Sequence, residues 1–268
     1  MAKKSRNFKK VLDRRRWDLH RFGLTPTKCQ ARLFNRHEPR VVVISVPKAG
    51  THLIERALCL HPKLYRPLLP TLHPNNIAKF GGLDRILQNL KSGEVLITHL
   101  HYSKQNADLL KSSGVKVIVM IRDPRDIVVS RAHYVVSNKK HPYHAYMQGL
   151  SLEDRLHRSI VGDSERGYLS IAQTLEWFAG WLDTEYLVIR FEDMISAKKR
   201  YASIKHLFSY LGMHVPEELT AWIARNVISE ASPTFRRGTS GGWQEYLKGG
   251  LYALFFRNSW CLDGKVWI

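Results

Sequence analysis

Four short hydrophobic runs, rich in β-branched residues, recur along the chain. They read VVVISV (41–46), EVLITHL (94–100), VKVIVMI (115–121) and YLVIRF (186–191). Because polar residues hardly alternate within them, the runs indicate strands that are buried on both faces. Helical patterns separate them, near residues 51–60, 82–91, 103–112, 125–138, 151–160, 168–182 and 196–212. This alternation predicts a three-layer α/β fold in which a central parallel sheet is flanked by helices.

The first 40 residues have a different character and predict a basic N-terminal arm ahead of a domain at 41–268. They hold 13 Lys and Arg against three acidic residues, a net charge of +10 out of +19 for the chain. At 100° per residue, Phe8, Val11, Leu12, Leu19 and Phe22 fall on one side of a helical wheel. Such a helix either docks its apolar stripe on the domain or binds a membrane surface or a polyanion.

Length and composition limit the class of protein. A chain of 268 residues with 44% hydrophobic residues can bury one sizeable core. Cys29, Cys59 and Cys261 are scattered and lack metal-ligand spacing, which favours a reducing compartment. Without an apolar run of about 20 residues, the expectation is a cytoplasmic protein, with peripheral contact to a membrane surface through the basic arm.

In a parallel α/β sheet, ligands bind at the carboxyl ends of the strands, so the segments that follow each strand matter most. The first strand continues into PKAGTH (47–52) and an amphipathic helix. Backbone N–H groups at such a helix start, together with the positive end of the helix dipole, favour a phosphate. The segment lacks the G-x-x-x-x-G-K-[ST] pattern whose final hydroxyl holds magnesium, which disfavours γ-phosphoryl transfer.

Two further segments carry cations that suit an anion. The third strand leads into IRDPRDIVVSRAHY (121–134), where Arg122 leaves the strand end and Ser130 lies on the next helix. A guanidinium and a hydroxyl that converge there would hold a second phosphate. Later, TFRRGTSGGW (234–243) places Arg236 and Arg237 beside glycines, in a loop that could close over an anion.

These three segments, in this order, resemble the sulfotransferase family that uses 3′-phosphoadenosine 5′-phosphosulfate (PAPS). In that family a P-K-x-G-T turn binds the 5′-phosphosulfate, an R-x-P-[RK]-D-x-x-x-S segment binds the 3′-phosphate, and an R-[KR]-G loop closes on the same phosphate. The resemblance therefore implies a P-loop-like fold and a PAPS site. The implied cofactor-binding residues are Pro47, Lys48, Ala49, Gly50, Thr51, His52, Arg122, Ser130, Arg236, Arg237 and Gly238.

Two more matches concern the chemistry and the purine. Thr98-His99-Leu100 is similar to the T-H-L-P segment of the cytosolic branch, whose histidine is the catalytic base, although His101 stands where that branch has proline. FEDM (191–194) is similar to a strand end whose aromatic residue lies near the adenine, a place that Phe191 would take. Leu53 follows His52, where the family often has a tryptophan that stacks on adenine.

The resemblance implies an in-line displacement at the sulfur of PAPS, with His99 as base, Lys48 as the cation at the leaving phosphate, and no metal. The expected partner is an acceptor with a free hydroxyl or amine. Segment 135–168 is polar and contains several aromatic residues, and it does not have the aliphatic character expected of a hydrophobic pocket. This favours a carbohydrate, glycolipid or other polar acceptor over a small phenol or steroid. His133, Tyr134, Tyr143, His144 and Tyr146 either stack on such a substrate or pack within the protein.

Two other functions remain open on the sequence. A nucleotide or small-molecule kinase would share the topology but would need the magnesium-binding hydroxyl that this turn lacks. A polyanion- or nucleic-acid-binding protein on a degenerate sulfotransferase-like body would use the basic arm, and its affinity would fall steeply with salt. The arm is compatible with an enzyme, and no specific nucleic acid is expected.

Overall fold

A computed structural model of the protein describes residues 2–34, 37–229 and 239–258. Within these ranges four parallel strands form one sheet in the order β2-β1-β3-β4. The strands are β1 (Val41–Ser45), β2 (Val95–Thr98), β3 (Lys116–Ile121) and β4 (Leu187–Arg190). Each lies inside one of the hydrophobic runs that predicts a strand. In the register, Val43 pairs with Ile97 of β2 and with Ile118 of β3.

Helices connect the strands and cover the sheet. In chain order they are α1 (Ala2–Arg21), α2 (Pro26–Phe34), α3 (Thr51–Cys59), α4 (Pro74–Ile77), α5 (Gly82–Asn89), α6 (Lys104–Ser112), α7 (Pro124–Ser137), α8 (His144–Gln148), α9 (Leu152–Val161), α10 (Ile171–Ala179), α11 (Phe191–Ile195), α12 (Arg200–Tyr210), α13 (Glu217–Asn226) and α14 (Gly249–Asn258). Short 3₁₀ turns lie at Ala78–Phe80, Ser164–Arg166, Gly180–Asp183 and Gly242–Glu245. The seven helices that the pattern predicts correspond to α3, α5, α6, α7, α9, α10 and α12.

The core has one half on each face of the sheet. Alternate side chains of a strand point to opposite faces, and in β1 both sets are buried. Val42 and Ile44 pack with residues of α5, α6, α7, α9, α10 and α14, whereas Val41 and Val43 pack with residues of α3, α11, α12 and α13. Burial on both faces explains why the strands read as uninterrupted hydrophobic runs. The predicted three-layer architecture is thereby confirmed.

The N-terminal helices are tied to the domain by polar contacts. Lys28 of α2 is fully buried, and its ammonium donates hydrogen bonds to the carbonyls of Cys59 and Leu64, the latter at 2.6 Å. Burial lowers the pKa of Lys28 to about 8. On α1, the Arg21 guanidinium lies 2.9 Å from the carboxylate of Glu55 in α3. These contacts anchor α1 and α2 beside α3.

The face by which α1 docks differs from the predicted one. Of the two roles that the sequence leaves open for the apolar stripe, docking on the domain does not hold for Val11, Leu12 and Leu19, which are 51%, 41% and 51% exposed. The helix docks through the opposite side, where the Trp17 ring lies 4.5 Å from the guanidinium carbon of Arg56 and packs against the core. Periodicity could not reveal this, because the docked side depends on buried partners elsewhere in the chain. The side chain of Phe8 lies outside the described residues.

No helix in the described ranges is long and apolar enough to cross a membrane. Cys29 is a free thiol at the surface and Cys59 a free thiol in the core, while Cys261 lies outside the described residues. Burial, the largest influence, raises the pKa of Cys59 to about 12, so this thiol stays protonated. The division into an arm at 1–40 and a domain at 41–268 stays a prediction.

Candidate functional site

The turn between β1 and α3 has an unusual backbone. Lys48 has φ 72°, the one non-glycine residue in the described ranges with a positive φ, and Gly50 has φ 105°. A Cβ atom at Gly50 would lie 2.6 Å from Cδ2 of Phe191 and 2.8 Å from Cε of Met120, so only glycine fits there. The Ala49 methyl group is fully buried in the core, so Ala49 brings no side chain to the site.

Helix α3 begins directly after this turn and points its positive end at the carboxyl edge of the sheet. Gly50 is the N-cap and provides no side-chain hydrogen bond. The first N–H groups of a helix have no carbonyl acceptor within the helix, which leaves them suited to an anion. The Thr51 hydroxyl lies at the same helix start, 2.9 Å from the hydroxyl of Ser45. That the start of α3 binds a phosphate stays a prediction.

Arg122, at the end of β3, links three parts of the site. Its guanidinium donates to the Lys48 carbonyl and to the Thr239 carbonyl, each at 3.4 Å. Its guanidinium carbon lies 4.1 Å from the centre of the Phe191 ring, and the side chain is nearly buried. Ser130, two turns into α7, reaches the same space. These contacts fix the Arg122 guanidinium at the wall of the space that Ser130 also reaches.

A buried carboxylate holds the glycine-containing loop from Thr239 to Glu245 by hydrogen bonds. Asp126 of α7 accepts hydrogen bonds from the backbone N–H groups of Gly241 and Trp243, both at 3.0 Å. The Arg125 guanidinium carbon also lies 4.1 Å from the Trp243 ring centre. Sequence reasoning assigned Asp126 no function, since nothing local reveals a bond to residues more than a hundred positions away. The predicted phosphate ligands that precede this loop, Arg236, Arg237 and Gly238, lie outside the described residues.

His99 follows β2 and is oriented by the backbone of β1. Its Nδ1 lies 2.6 Å from the carbonyl oxygen of Ser45. Because a carbonyl oxygen only accepts hydrogen bonds, Nδ1 carries the proton, and the neutral ring leaves the lone pair of Nε2 available. Burial is the main cause that lowers the pKa of His99 to about 4, with smaller contributions from His73, His52 and Lys48.

One cavity of about 440 Å³ brings most of the predicted residues together. Its lining includes Pro47, Lys48, Gly50, Thr51, His52, His99, Arg122, Ser130 and Phe191. The cavity is also lined by residues that were not predicted to bind the cofactor, which are Leu53, Arg56, Thr71, His73, Tyr134, Ile195, Val227, Ile228, Ser229 and Thr239. Among these, Leu53 was visible as the neighbour of the turn, but most of the others come from segments without a recognisable motif. For Tyr134 the sequence left open whether it stacks on the substrate or packs within the protein.

The part of the cavity beside His99 is polar. The Leu72 carbonyl accepts a 2.7 Å hydrogen bond from the His99 backbone, and Leu72 itself is buried. Its neighbours Thr71 and His73 line the cavity. The aliphatic lining residues Leu53, Ile195, Val227 and Ile228 instead belong to the half of the core that packs on α3, α11, α12 and α13. The cavity therefore has a polar end near β2 and an apolar wall near β4.

The aromatic residues around segment 135–168 divide into two groups. Tyr134 lines the cavity. Tyr143 donates to the Gly167 carbonyl at 2.8 Å, and Tyr146 donates to the Asp163 carboxylate at 2.7 Å, so both have structural partners. His144 lies 3.2 Å from the Val135 carbonyl, and the His133 ring meets Tyr246 edge to face. Packing within the protein accounts for these four side chains.

A buried ionic network adjoins the turn. The Nδ1 atom of His52 lies 3.3 Å from the carboxylate of Glu55, which also faces Arg21 and Arg66. Burial alone would raise the pKa of Glu55, but the His52 hydrogen bond and the Arg66 and Arg21 charges lower it to about 2. The carboxylate therefore stays ionised and fixes the His52 ring at the cavity wall.

Comparison with known proteins agrees with this geometry. A family model described as a sulfotransferase domain matches residues 38–255. The chain is 24% identical over 255 residues to flavonol 3-sulfotransferase of Flaveria bidentis, and the aligned region covers 80% of this chain and 78% of that protein. It is 26% identical over 212 residues to the amine sulfotransferase of Oryctolagus cuniculus, covering 74% and 64% of the two chains.

Solved structures show the same fold. The mouse sulfotransferase SULT7A1 complexed with PAP superposes with a TM-score of 0.65 at 21% identity, covering 89% of this chain and 90% of the other. Retinol dehydratase in complex with androsterone and the inactive cofactor PAP gives a TM-score of 0.57 at 17% identity, covering 89% and 86%. The P-loop-like three-layer fold that the sequence predicts is thus confirmed.

Proposed function

Because the chain belongs to the sulfotransferase family, we propose that it transfers a sulfuryl group from PAPS to a hydroxyl or amine of a polar acceptor, with His99 as the base. One observation carries the proposal. A single cavity is lined by the start of α3, by Lys48, Arg122 and His99 from three strand ends, and by Ser130 of α7. Family membership favours this function over the kinase and polyanion-binding alternatives.

The cavity suits the donor in size, charge and polarity. A volume of about 440 Å³ lies in the range of small-molecule sites. Two related folds bind PAP, the desulfated form of the donor. When bound, PAPS supplies the sulfuryl group and leaves as adenosine 3′,5′-bisphosphate. The N–H groups at the start of α3 and the Thr51 hydroxyl would hold the 5′-phosphate, and Arg122 and Ser130 the 3′-phosphate.

Lys48 and His99 have complementary roles in this proposal. The Lys48 ammonium would stabilise the negative charge that develops on the leaving phosphate, and such preorganised charges often contribute most to catalysis. The Ser45 carbonyl holds His99 in the tautomer whose Nε2 can accept a proton. A pKa of about 4 keeps this ring neutral at cellular pH. Nε2 would therefore take the proton of the acceptor as the new bond to sulfur forms.

For the acceptor we propose a hydroxyl on a carbohydrate or glycolipid. Thr71 and His73 beside His99 offer hydrogen-bonding groups rather than an aliphatic surface. A small apolar acceptor would leave such groups without partners at a cost in affinity. Relatives of this chain are named for a flavonol, a hydroxysteroid and an amine. The polar end of the cavity supports a different acceptor class here.

The proposal also includes peripheral contact with a membrane surface from a cytoplasmic location. The outward face of α1 carries the exposed Val11, Leu12 and Leu19 among arginines. An apolar stripe flanked by cations is typical of helices that lie in the interface of anionic membranes. This placement would bring the enzyme close to glycolipid acceptors.

The function is tested first by donor binding and then by transfer. Adenosine 3′,5′-bisphosphate should raise the melting temperature, because a ligand that binds only the folded state stabilises it. Candidate acceptors are then incubated with PAPS, and mass spectrometry should detect the gain of one SO₃ group. A melting temperature that does not move with adenosine 3′,5′-bisphosphate would contradict the proposal, as would transfer that requires ATP and Mg²⁺.

A further inference from the structure

The ammonium of Lys48 lies over an aromatic ring that the family motifs do not include. Its Nζ atom is 3.6 Å from the centre of the Tyr134 ring. Tyr134 lies on α7, one turn beyond Ser130, and both Tyr134 and Lys48 line the cavity. A cation at this distance from a ring face is attracted by the negative potential of the π system.

Other contacts fix the Tyr134 ring. The amide of Asn138 donates a 2.9 Å hydrogen bond to its hydroxyl oxygen. The ring of His141 meets it nearly at a right angle, with ring centres 5.8 Å apart. Asn138 and His141 belong to the segment that follows α7, so the chain beyond the helix supports the ring. The ring is therefore a fixed surface, whereas the lysine side chain that reaches it has four rotatable bonds.

The backbone at Lys48 adds a second constraint. The residue is held at φ 72°, and its carbonyl accepts a hydrogen bond from Arg122. The start of the side chain is thus set by the turn, and its end by the Tyr134 ring. Arg122 and the start of α3 also concentrate positive potential in the cavity, which repels another ammonium. A ring face offsets this repulsion without presenting a carboxylate that would compete with an anionic donor.

We propose that Tyr134 is a positioning residue for Lys48, whose ring holds the ammonium at the reactive end of the donor site before the donor binds. The inference rests on the proposed function, because only in that function does Lys48 act on the donor. A lysine that is already oriented loses less conformational freedom when the donor binds. The hydroxyl of Tyr134 serves to orient the ring and has no part in the chemistry.

The contact itself is tested without any donor. Lysines are methylated reductively with ¹³C-formaldehyde, and the Lys48 signal is assigned by its absence in Lys48→Arg. A methylated ammonium over a ring face should resonate upfield of the exposed lysines, and in Tyr134→Leu it should move to their position. A Lys48 signal that coincides with the exposed lysines in the unchanged protein overturns the inference.

The effect on transfer is tested with a series that preserves shape. The series places phenylalanine at position 134 and then phenylalanines that carry one, two or three ring fluorines. Every member keeps the ring, and each added fluorine weakens the negative potential of the ring face. Relative to Tyr134→Phe, we expect kcat to fall with each added fluorine, and we expect Tyr134→Leu to lose about tenfold against the unchanged enzyme, as the strength of such contacts implies. The Kd for adenosine 3′,5′-bisphosphate is measured in parallel, so that lost donor affinity is separated from lost rate.

Two comparisons make the result decisive. Tyr143→Leu removes a ring from the same region that does not line the cavity, so it should leave the Lys48 signal unchanged. An active enzyme with a constant kcat across the fluorinated series overturns the role of Tyr134 and leaves the proposed function intact. If the unchanged protein neither binds adenosine 3′,5′-bisphosphate nor transfers sulfuryl groups, the proposed function fails, and the role of Tyr134 fails with it.

Discussion

At the residue scale, the environment of His99 determines what the imidazole can do. A histidine at the surface has a pKa near 6.5 and is partly protonated in the cell. Burial lowers the pKa of His99 to about 4, although the hydrogen bond to the Ser45 carbonyl opposes this shift, and the same bond fixes the tautomer. A less basic imidazole is a weaker base, but nearly all of it is in the reactive form at neutral pH.

Replacing His99 with alanine should lower kcat by at least about 100-fold, the low end of general-base contributions. Binding of adenosine 3′,5′-bisphosphate should change little, because in the proposed function His99 acts on the acceptor and holds neither phosphate of the donor. Steady-state kinetics and thermal-shift titration measure the two quantities. His101→Ala is the matched control, since the His101 ring packs against Trp177 with ring centres 4.0 Å apart and does not line the cavity.

The pH profile gives an independent check on the same residue. The base must be neutral, so kcat/KM should be lost as the pH falls through the pKa of His99, about 4. A free imidazole would give a loss near pH 6.5. An acid limb near 6.5 in the unchanged enzyme, or normal turnover by His99→Ala, would remove His99 from the proposed role.

At the element scale, the loop from Thr239 to Glu245 depends on α7. Asp126 accepts hydrogen bonds from two backbone N–H groups of this loop and lies 3.5 Å from the Arg122 guanidinium. One buried carboxylate therefore joins the strand-end arginine to the segment that continues from the predicted phosphate ligands Arg236 and Arg237. We infer that donor affinity depends on this connection.

Asp126→Asn should weaken the Kd for adenosine 3′,5′-bisphosphate by about tenfold, because an amide replaces one of the two acceptor oxygens with a donor that faces an N–H group. Isothermal titration measures the change. Asp108→Asn is the control, since Asp108 forms an exposed pair with Lys104 on α6. Equal affinity in Asp126→Asn and the unchanged protein would show that the loop does not contribute to donor binding.

The outward face of α1 leads to a prediction about lipid binding. The unchanged protein should sediment with vesicles of phosphatidylcholine and phosphatidylserine, less so with phosphatidylcholine alone or at high salt. Leu12→Glu together with Leu19→Glu should abolish most of this binding, because both leucines lie on the exposed stripe. Leu68→Glu is the control, since Leu68 is 72% exposed but lies outside the arm. Binding that survives the double substitution would contradict a membrane role for this face.

Local patterns predicted the elements better than they predicted the contacts between elements. The four strands and the turn at 47–52 follow from residues that are adjacent in the sequence, so the pattern was sufficient. The docking of α1 depends on Glu55, and that of α2 depends on the Cys59 carbonyl. Thr71 and His73 reach the cavity only because distant segments meet there. No periodicity encodes such meetings, which is why these parts of the site were missed.

At the scale of the whole molecule, buried histidines should control stability in mild acid. His20, His61 and His99 each have a pKa near 4, with burial as the largest cause. In the unfolded chain the same rings titrate near 6.5, so between these values the unfolded state binds more protons. The free energy of unfolding is therefore expected to fall as the pH drops from about 6.5 to 4.

Urea unfolding at a series of pH values measures this dependence. His61→Phe should make the free energy of unfolding depend less on pH, because it removes one of the three buried imidazoles. The phenylalanine ring can take the place of the imidazole against Phe208. His157→Phe is the control, since His157 is exposed on α9. A free energy of unfolding that stays constant from pH 7 to pH 4.5 would contradict the assignment of these rings as buried and neutral.

At position 48 the positive φ makes glycine the best residue for folding stability, whereas the proposed catalysis requires a lysine. A non-glycine residue in the left-handed region costs about 1–2 kcal/mol, a penalty that glycine largely escapes. A chain selected only to withstand heat would be expected to carry glycine there. Lysine instead holds φ 72° there, so under the proposed function Lys48→Gly should lose sulfuryl transfer without a fall in melting temperature.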